Sequence, residues 1–371
     1  MNIFSFAPLA LLISTWVLLG ELIQGLLDGW AHPWLLTYCI KSGFTLCLMP
    51  YALLRHLRLR SPAPPPLPRP AWALARAGAA LSPISTACSL CWYVSLTGTS
   101  FAGNSAVYQA ASAFALLFSA LLLREVVTLR KLVCVAGAIA GVALISFGAV
   151  SGGGRDTLPG YAWVVMSTAL YALYEVLYAR LTVPPPGDGG SLSSGGGCGE
   201  GASAHLLGAS PPPPPLSDPA AAALLKAEVA ALVLGSLGAA SFLTQWPLFF
   251  VAHAAGWERW EWPPPTAKGR LVALNMGLDS VYNLALLWGI STTSAFAMQL
   301  ASTLVVPAGI FADFCLHGEL PTPMAACGVV MVCAAVAALD CEGCRRCPRV
   351  RELFATRRHA GAVELREAGE G

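Results

Sequence analysis

Hydrophobic positions in this chain come in long unbroken blocks, and polar or charged positions gather in the short breaks between them. About 20 mostly apolar residues cross a bilayer as a helix. By that measure the blocks near 4–27, 34–54, 72–97, 101–123, 130–150, 161–181, 220–246, 270–290, 293–316 and 321–340 predict ten transmembrane helices. The block at 220–246 fits least well, because Lys226 and Glu228 fall in its first turns and point to different helix sides. The stretch from Thr99 to Gly148 organises the rest: two apolar runs flank a charged turn at 124–131. Glu125 is expected to anchor that turn, as is Glu319 in the second half. Gly137 and Gly141 sit at helix-packing spacing. The first block lacks a basic leader and is long for a signal peptide, so it is expected to stay as a first helix.

Two segments break the pattern. Ser61 to Pro70 (SPAPPPLPRP) is an extended connector, and Pro184 to Pro219 is a Pro/Gly/Ser tether. The expected organisation is 1–150 as a first five-helix repeat, 151–183 as the sixth helix, 184–219 as linker, 220–341 as the remaining helices and 342–371 as a cytoplasmic tail. Arginines and lysines cluster in the Arg55–Arg69 loop, at Arg124, Arg130 and Lys131, and in the tail. Ten helices with both termini cytoplasmic put all three clusters on one side, as loop charge favours; Lys268 and Arg270 dissent.

Composition agrees with the pattern. Hydrophobic residues make up 56% and charged residues 11%, where a soluble protein carries about a quarter charged. Mean hydropathy is +0.63. A net charge of +2 gives no basic face for a nucleic-acid partner. The twelve cysteines are mostly single residues within apolar runs, so neither a disulfide framework nor a metal centre is expected, and no cofactor is implied. Cys88 and Cys91 lie inside a predicted helix and read as packing. Cys341, Cys344 and Cys347 follow the last helix among arginines, where acylated or unmodified thiols fit better than a metal site.

Shifting the first half by 194 positions lays Thr99-Ser100 on Thr293-Ser294, Glu125 on Glu319 and Thr128 on Thr322. Two five-helix units would face opposite ways in the membrane, the inverted-repeat architecture that places a solute site near the midplane. Three stretches carry a family resemblance: 104–145 (NSAVYQAASAFALLFSALLLREVVTLRKLVCVAGAIAGVALI), 160–181 (GYAWVVMSTALYALYEVLYARL) and 274–321 (LNMGLDSVYNLALLWGISTTSAFAMQLASTLVVPAGIFADFCLHGELP). In these the chain resembles the drug/metabolite transporter superfamily (EamA-type), nearest the F branch of the solute carrier 35 group. The resemblance spans about a third of the chain and departs at the long linker. It implies an all-α polytopic fold of ten helices in two inverted repeats, and a central pathway for nucleotide sugars, thiamine-type vitamins or other small metabolites.

Ionisable groups within membrane helices need a partner or a cavity. Lys41 is such a group; Glu21 is its expected partner, in a pair that either serves the pathway or fixes packing. Tyr171, Tyr174, Glu175 and Tyr178 share one helix face, which suits a ring-bearing or cationic ligand or, alternatively, an interfacial aromatic belt. Asn275, Asp279, Tyr282 and Asn283 form a second stripe, expected to face water. Asn104, Tyr108 and Gln109, then Gln299 and Ser302, complete the candidates, either as ligand contacts or as interhelical hydrogen bonds; Tyr108 and Ser302 correspond under the 194-residue shift. Lys41, Asn104, Tyr108, Gln109, Tyr171, Tyr174, Glu175, Asp279, Tyr282, Asn283 and Gln299 are therefore the candidate substrate-binding residues.

No GxxxxGK[ST], HExxH or GxSxG stretch is present, so ATP drive and intramembrane hydrolysis are not encoded here. The expected function is a secondary carrier of a small organic solute, cationic or neutral because Lys41 is the one base deep in a helix. A nucleotide-sugar antiporter is the alternative, and a non-transporting scaffold or receptor the alternative of another class. The expected partners are the solute and the lipid bilayer, with homodimerisation open and the membrane either endomembrane or plasma membrane.

Overall fold

The computed structural model describes residues 3–27, 32–60, 64–99, 104, 107–124, 127–149, 157–182, 219–259, 261, 267–308 and 323–345. Among these residues every regular element is helical. The helices are α1 (Ile3–Leu27), α2 (Pro33–Gly43), α3 (Leu48–Leu59), α4 (Ala71–Leu96), α5 (Ala111–Leu122), α6 (Leu129–Ala149), α7 (Leu158–Thr182), α8 (Pro219–Thr244), α9 (Pro247–Ala254), α10 (Ala267–Thr292), α11 (Ala295–Ser302) and α12 (Pro323–Arg345). Four of them, α4, α7, α8 and α10, are long and apolar enough among the described residues to cross a membrane by themselves. The outer surface is apolar: Leu158 is 84% exposed, Leu129 78% and Met49 72%. Such a surface belongs in lipid rather than water.

The block expected at 34–54 continues to Leu59 and is not one regular helix. A 3-10 segment, Phe44–Cys47, joins α2 to α3. Pro50 has no N–H to return to the Leu46 carbonyl, and the chain tightens just ahead of it. Arg55 and Arg58, expected in a loop, lie inside α3. The weakly predicted block at 220–246 is a full helix, α8, and Pro247 opens a further short helix, α9, that the apolar pattern did not separate.

The most extensive packing joins the two halves of the chain: α1 against α10, α4 against α7 and α8, α3 and the 3-10 segment against α8, α5 against α7, and α6 against α12. Close approach depends on missing side chains. A methyl group on Gly238 of α8 would lie 2.2 Å from the Thr45 amide nitrogen, so α8 presses directly on the 3-10 segment. At α6–α12, a methyl on Gly141 would meet the Gly328 carbonyl at 2.8 Å, whereas one on Gly137 would find only Ala335 at 3.7 Å. The expected packing role thus falls on Gly141 alone. Arg130 also donates to the Ala338 carbonyl across this pair.

Polar clasps complete the framework. Arg58 grips Glu228 through two hydrogen bonds, Nε to Oε2 at 2.6 Å and Nη2 to Oε1 at 3.0 Å, and donates from Nη1 to the Pro65 carbonyl at 2.8 Å. Beyond α9, Glu258 accepts from the amides of Trp34 and Leu35 at 2.8 and 3.1 Å, and His32 lies 3.6 Å away. Burial pushes the Glu258 carboxyl up from its ordinary range, while the two amides and His32 pull the other way. The expected anchors Glu125 and Glu319, nearly all of the 184–219 linker, and Cys347 lie outside the described residues, as do the side chains of Glu21, Cys341 and Cys344.

Candidate functional site

The central cavity lies between α1, α2, α4, α7 and α10, with Tyr108 just ahead of α5 closing it. It measures about 680 Å³, counting the part open to the outside. Each helix contributes a short run set by its 3.6-residue period. Trp16, Leu19 and Ile23 come from α1, and Lys41 from α2. Ser85, Cys88, Ser89, Trp92 and Tyr93 come from α4, Tyr171 and Tyr174 from α7, and Asp279, Tyr282 and Asn283 from α10.

Aromatic rings form a continuous wall. Trp16 stacks on Tyr108 with centroids 6.1 Å apart and packs against Tyr282 at 5.2 Å and Trp92 at 6.1 Å. Tyr108 meets Tyr171 at 5.2 Å, and the Tyr171 and Tyr282 hydroxyls share a 3.0 Å hydrogen bond. The Tyr174 hydroxyl is buried, with no hydrogen-bond partner among the described residues. Two opposite charges share this wall. The Lys41 ammonium lies 4.5 Å from the centre of the Phe44 ring, and Asp279 is its electrostatic neighbour, although the pair does not close into a direct ion-pair contact. Asn283 donates from its side chain to the Asp279 carbonyl at 2.9 Å, which keeps both on one face.

Seven of the sequence candidates meet in this cavity: Lys41, Tyr108, Tyr171, Tyr174, Asp279, Tyr282 and Asn283. The other four do not line it. Asn104 donates to Ser95 Oγ at 2.6 Å and to Thr99 Oγ1 at 3.1 Å. Gln109 is buried. Glu175 is fully enclosed, and the Gln299 amide, with its nitrogen turned toward the carboxylate, lies 2.9 and 3.1 Å from the two oxygens. Ser302 is tied to the Gln299 carbonyl of its own helix at 2.7 Å and does not join Tyr108. Asn275 is buried outside the lining.

The whole contribution of α1 and α4 escaped the sequence reading. These helices are apolar on most sides, and Trp16 and Trp92 read as ordinary membrane aromatics. The one available signal was the run of small polar residues from Ser82 to Ser89, which repeats at about one helical turn.

No family model matches the chain. Among curated proteins, solute carrier family 35 member F5 from Pongo abelii is 27% identical over 192 residues, covering 51% of this chain and 29% of that protein. The Bos taurus protein of the same name matches with the same identity and coverage, and the Mus musculus one is 26% identical over 196 residues. The chain resembles the F branch of the solute carrier 35 family. The match takes in under a third of those relatives' length. A solved crystal structure shares the fold at a TM-score of 0.59 and 16% identity, covering 93% of this chain and 99% of its own. The apolar helices and the solute carrier 35 resemblance together make this an integral, multi-pass membrane protein.

Proposed function

We propose that this chain is a secondary-active carrier that moves a small organic solute by alternating access, with the central cavity as its solute site. The observation that carries the reading is the cavity wall itself: one carboxylate, one ammonium and seven aromatic side chains converging from helices of both halves. A protein with only a scaffolding role gains nothing from ionisable side chains held at bilayer depth around a cavity.

The packing supports ten spans in two inverted five-helix repeats. Exchange α1 with α7, α2–α3 with α8, α4 with α10, α5 with α11 and α6 with α12. The α1–α10 pair then becomes α7–α4, α4–α8 becomes α10–α2, and α5–α7 becomes α11–α1, while α3–α8, α5–α11 and α6–α12 map onto themselves. All of these pairs pack in the fold. The larger packed pairs thus map onto other packed pairs, as two like units related by a pseudo-two-fold would produce.

Asp279 among aromatic faces favours a cationic or neutral, ring-bearing solute. Lys41 is the only base among the lining residues, which is sparse for a diphosphate, so the nucleotide-sugar reading stands second. Asp279 is also the carboxylate best placed to exchange a proton with the cavity. The test is uptake by purified protein in proteoliposomes across organic cations, neutral metabolites and nucleotide sugars. Asp279→Asn is expected to lower cation uptake about tenfold, equivalent to about 1.4 kcal/mol. Absence of flux for every solute would favour the scaffold. Normal transport across a pH range by both Asp279→Asn and Glu175→Gln would remove proton coupling.

A further inference from the structure

The 3-10 segment and α3 pack along α8, and the two ends of α2–α3 are held differently from the middle. In the middle, Gly238 lets the α8 backbone meet the Thr45 amide, and Gly235 makes room for the Leu48 side chain. One end is held by Arg58 and Glu228. The other is held by Glu258, which accepts the first amides of α2 at Trp34 and Leu35. Between Trp34 and Arg58 the helix rises about 36 Å at 1.5 Å per residue. That exceeds the hydrocarbon core of about 30 Å, so with α2–α3 lying across the bilayer the two clasps fall at opposite faces.

Between the clasps, the 3-10 segment Phe44–Cys47 interrupts the helix, and a mid-helix stretch of this kind is where a helix bends. Lys41 sits on the half held by Glu258, one turn before that segment. The charge in the cavity wall is therefore carried by a lever with a hinge at one end and a carboxylate clasp at the other.

We propose that Glu258 and Glu228 are the gate clasps of this lever, one for each face of the membrane, and that the 3-10 segment is the hinge between them. Releasing Glu258 frees α2, and with it Lys41, to swing from the cavity wall toward one face. Releasing Glu228 frees α3 toward the other. Both clasps are closed in this structure. The proposal rests on the alternating-access reading, and its test uses no solute, so the two can fail separately.

The test uses full-length protein in sealed vesicles, with a membrane-impermeant thiol reagent added to one face at a time. The probe is the thiol introduced by Ser89→Cys, since Ser89 lines the cavity, and labelling at position 89 is read by fragmenting the labelled peptide. Glu258→Gln is expected to raise labelling from its own face by about fivefold or more, the population shift that follows loss of one charge-assisted contact. Labelling from the opposite face should stay unchanged. Glu228→Gln should do the reverse, and the exchange Arg58→Glu with Glu228→Arg should return labelling to its starting level. A rise on both faces from either variant would overturn the proposal. So would lowered thermal stability with unchanged labelling, which is the mark of permanent staples.

Discussion

At the scale of single residues, a hydrogen in place of a methyl group sets how near two helices come. Gly238→Ala would force its new carbon 2.2 Å from the Thr45 nitrogen, which neither backbone can yield. Overpacking of this kind costs about 1–3 kcal/mol, and the variant is expected to melt earlier in a detergent thermal-shift assay. Gly137→Ala meets only ordinary contact at 3.7 Å and should change stability by less than about 0.5 kcal/mol. The sequence marks Gly137 and Gly141 as equals, because spacing cannot tell which glycine faces a backbone. The helical period put Tyr171, Tyr174, Glu175 and Tyr178 on one face and Asn275, Asp279, Tyr282 and Asn283 on another; of these, Tyr171, Tyr174, Asp279, Tyr282 and Asn283 line the cavity, and Glu175, Tyr178 and Asn275 do not. Lys41 was recognisable because a cation in an apolar run is conspicuous. The side chain of the expected partner, Glu21, lies outside the described residues; among the described ones Asp279, from a helix far along the chain, is an electrostatic neighbour of Lys41.

At the scale of elements, the Arg58–Glu228 pair shows what a pattern along the chain cannot convey. Arg58 looked like a loop arginine and Glu228 like a misfit in a weak helix, yet each resolves the other across 170 positions. Glu228 is 1% exposed, so removing one partner leaves a buried charge, at a cost of about 3–5 kcal/mol. Arg58→Met alone is expected to lose that much in thermal or denaturant unfolding. Arg58→Met with Glu228→Leu should recover most of it, since replacing a buried pair with apolar side chains is close to neutral. Equal losses in the single and double variants would mean that the arginine matters for its bond to the Pro65 carbonyl instead. The 3-10 segment was foreshadowed only by Pro50; the glycine of α8 that leans on it was not.

At the scale of the whole molecule, the halves hold each other. The largest packed pairs all bridge them: α1 with α10, α4 with α7 and α8, and α6 with α12. The linker's Pro/Gly/Ser composition offers little apolar surface with which to add to that packing. Deleting 190–212 is accordingly expected to leave the thermal midpoint and any measured uptake unchanged, as judged by fluorescence-detected gel filtration and proteoliposome flux. A sharp loss of folded protein would mean that the tether does more than connect.

The distance along the chain between Arg58 and its carboxylate also has a meaning in time. Glu228 is made 170 positions after Arg58, which at roughly 5–20 residues per second is an interval of about 10–30 s. Throughout it Arg58 lacks its carboxylate, and the Pro65 carbonyl is the partner already made. That fastening therefore waits for α8 to arrive, while the α1–α10 and α6–α12 contacts and the Glu258 clasp come later still.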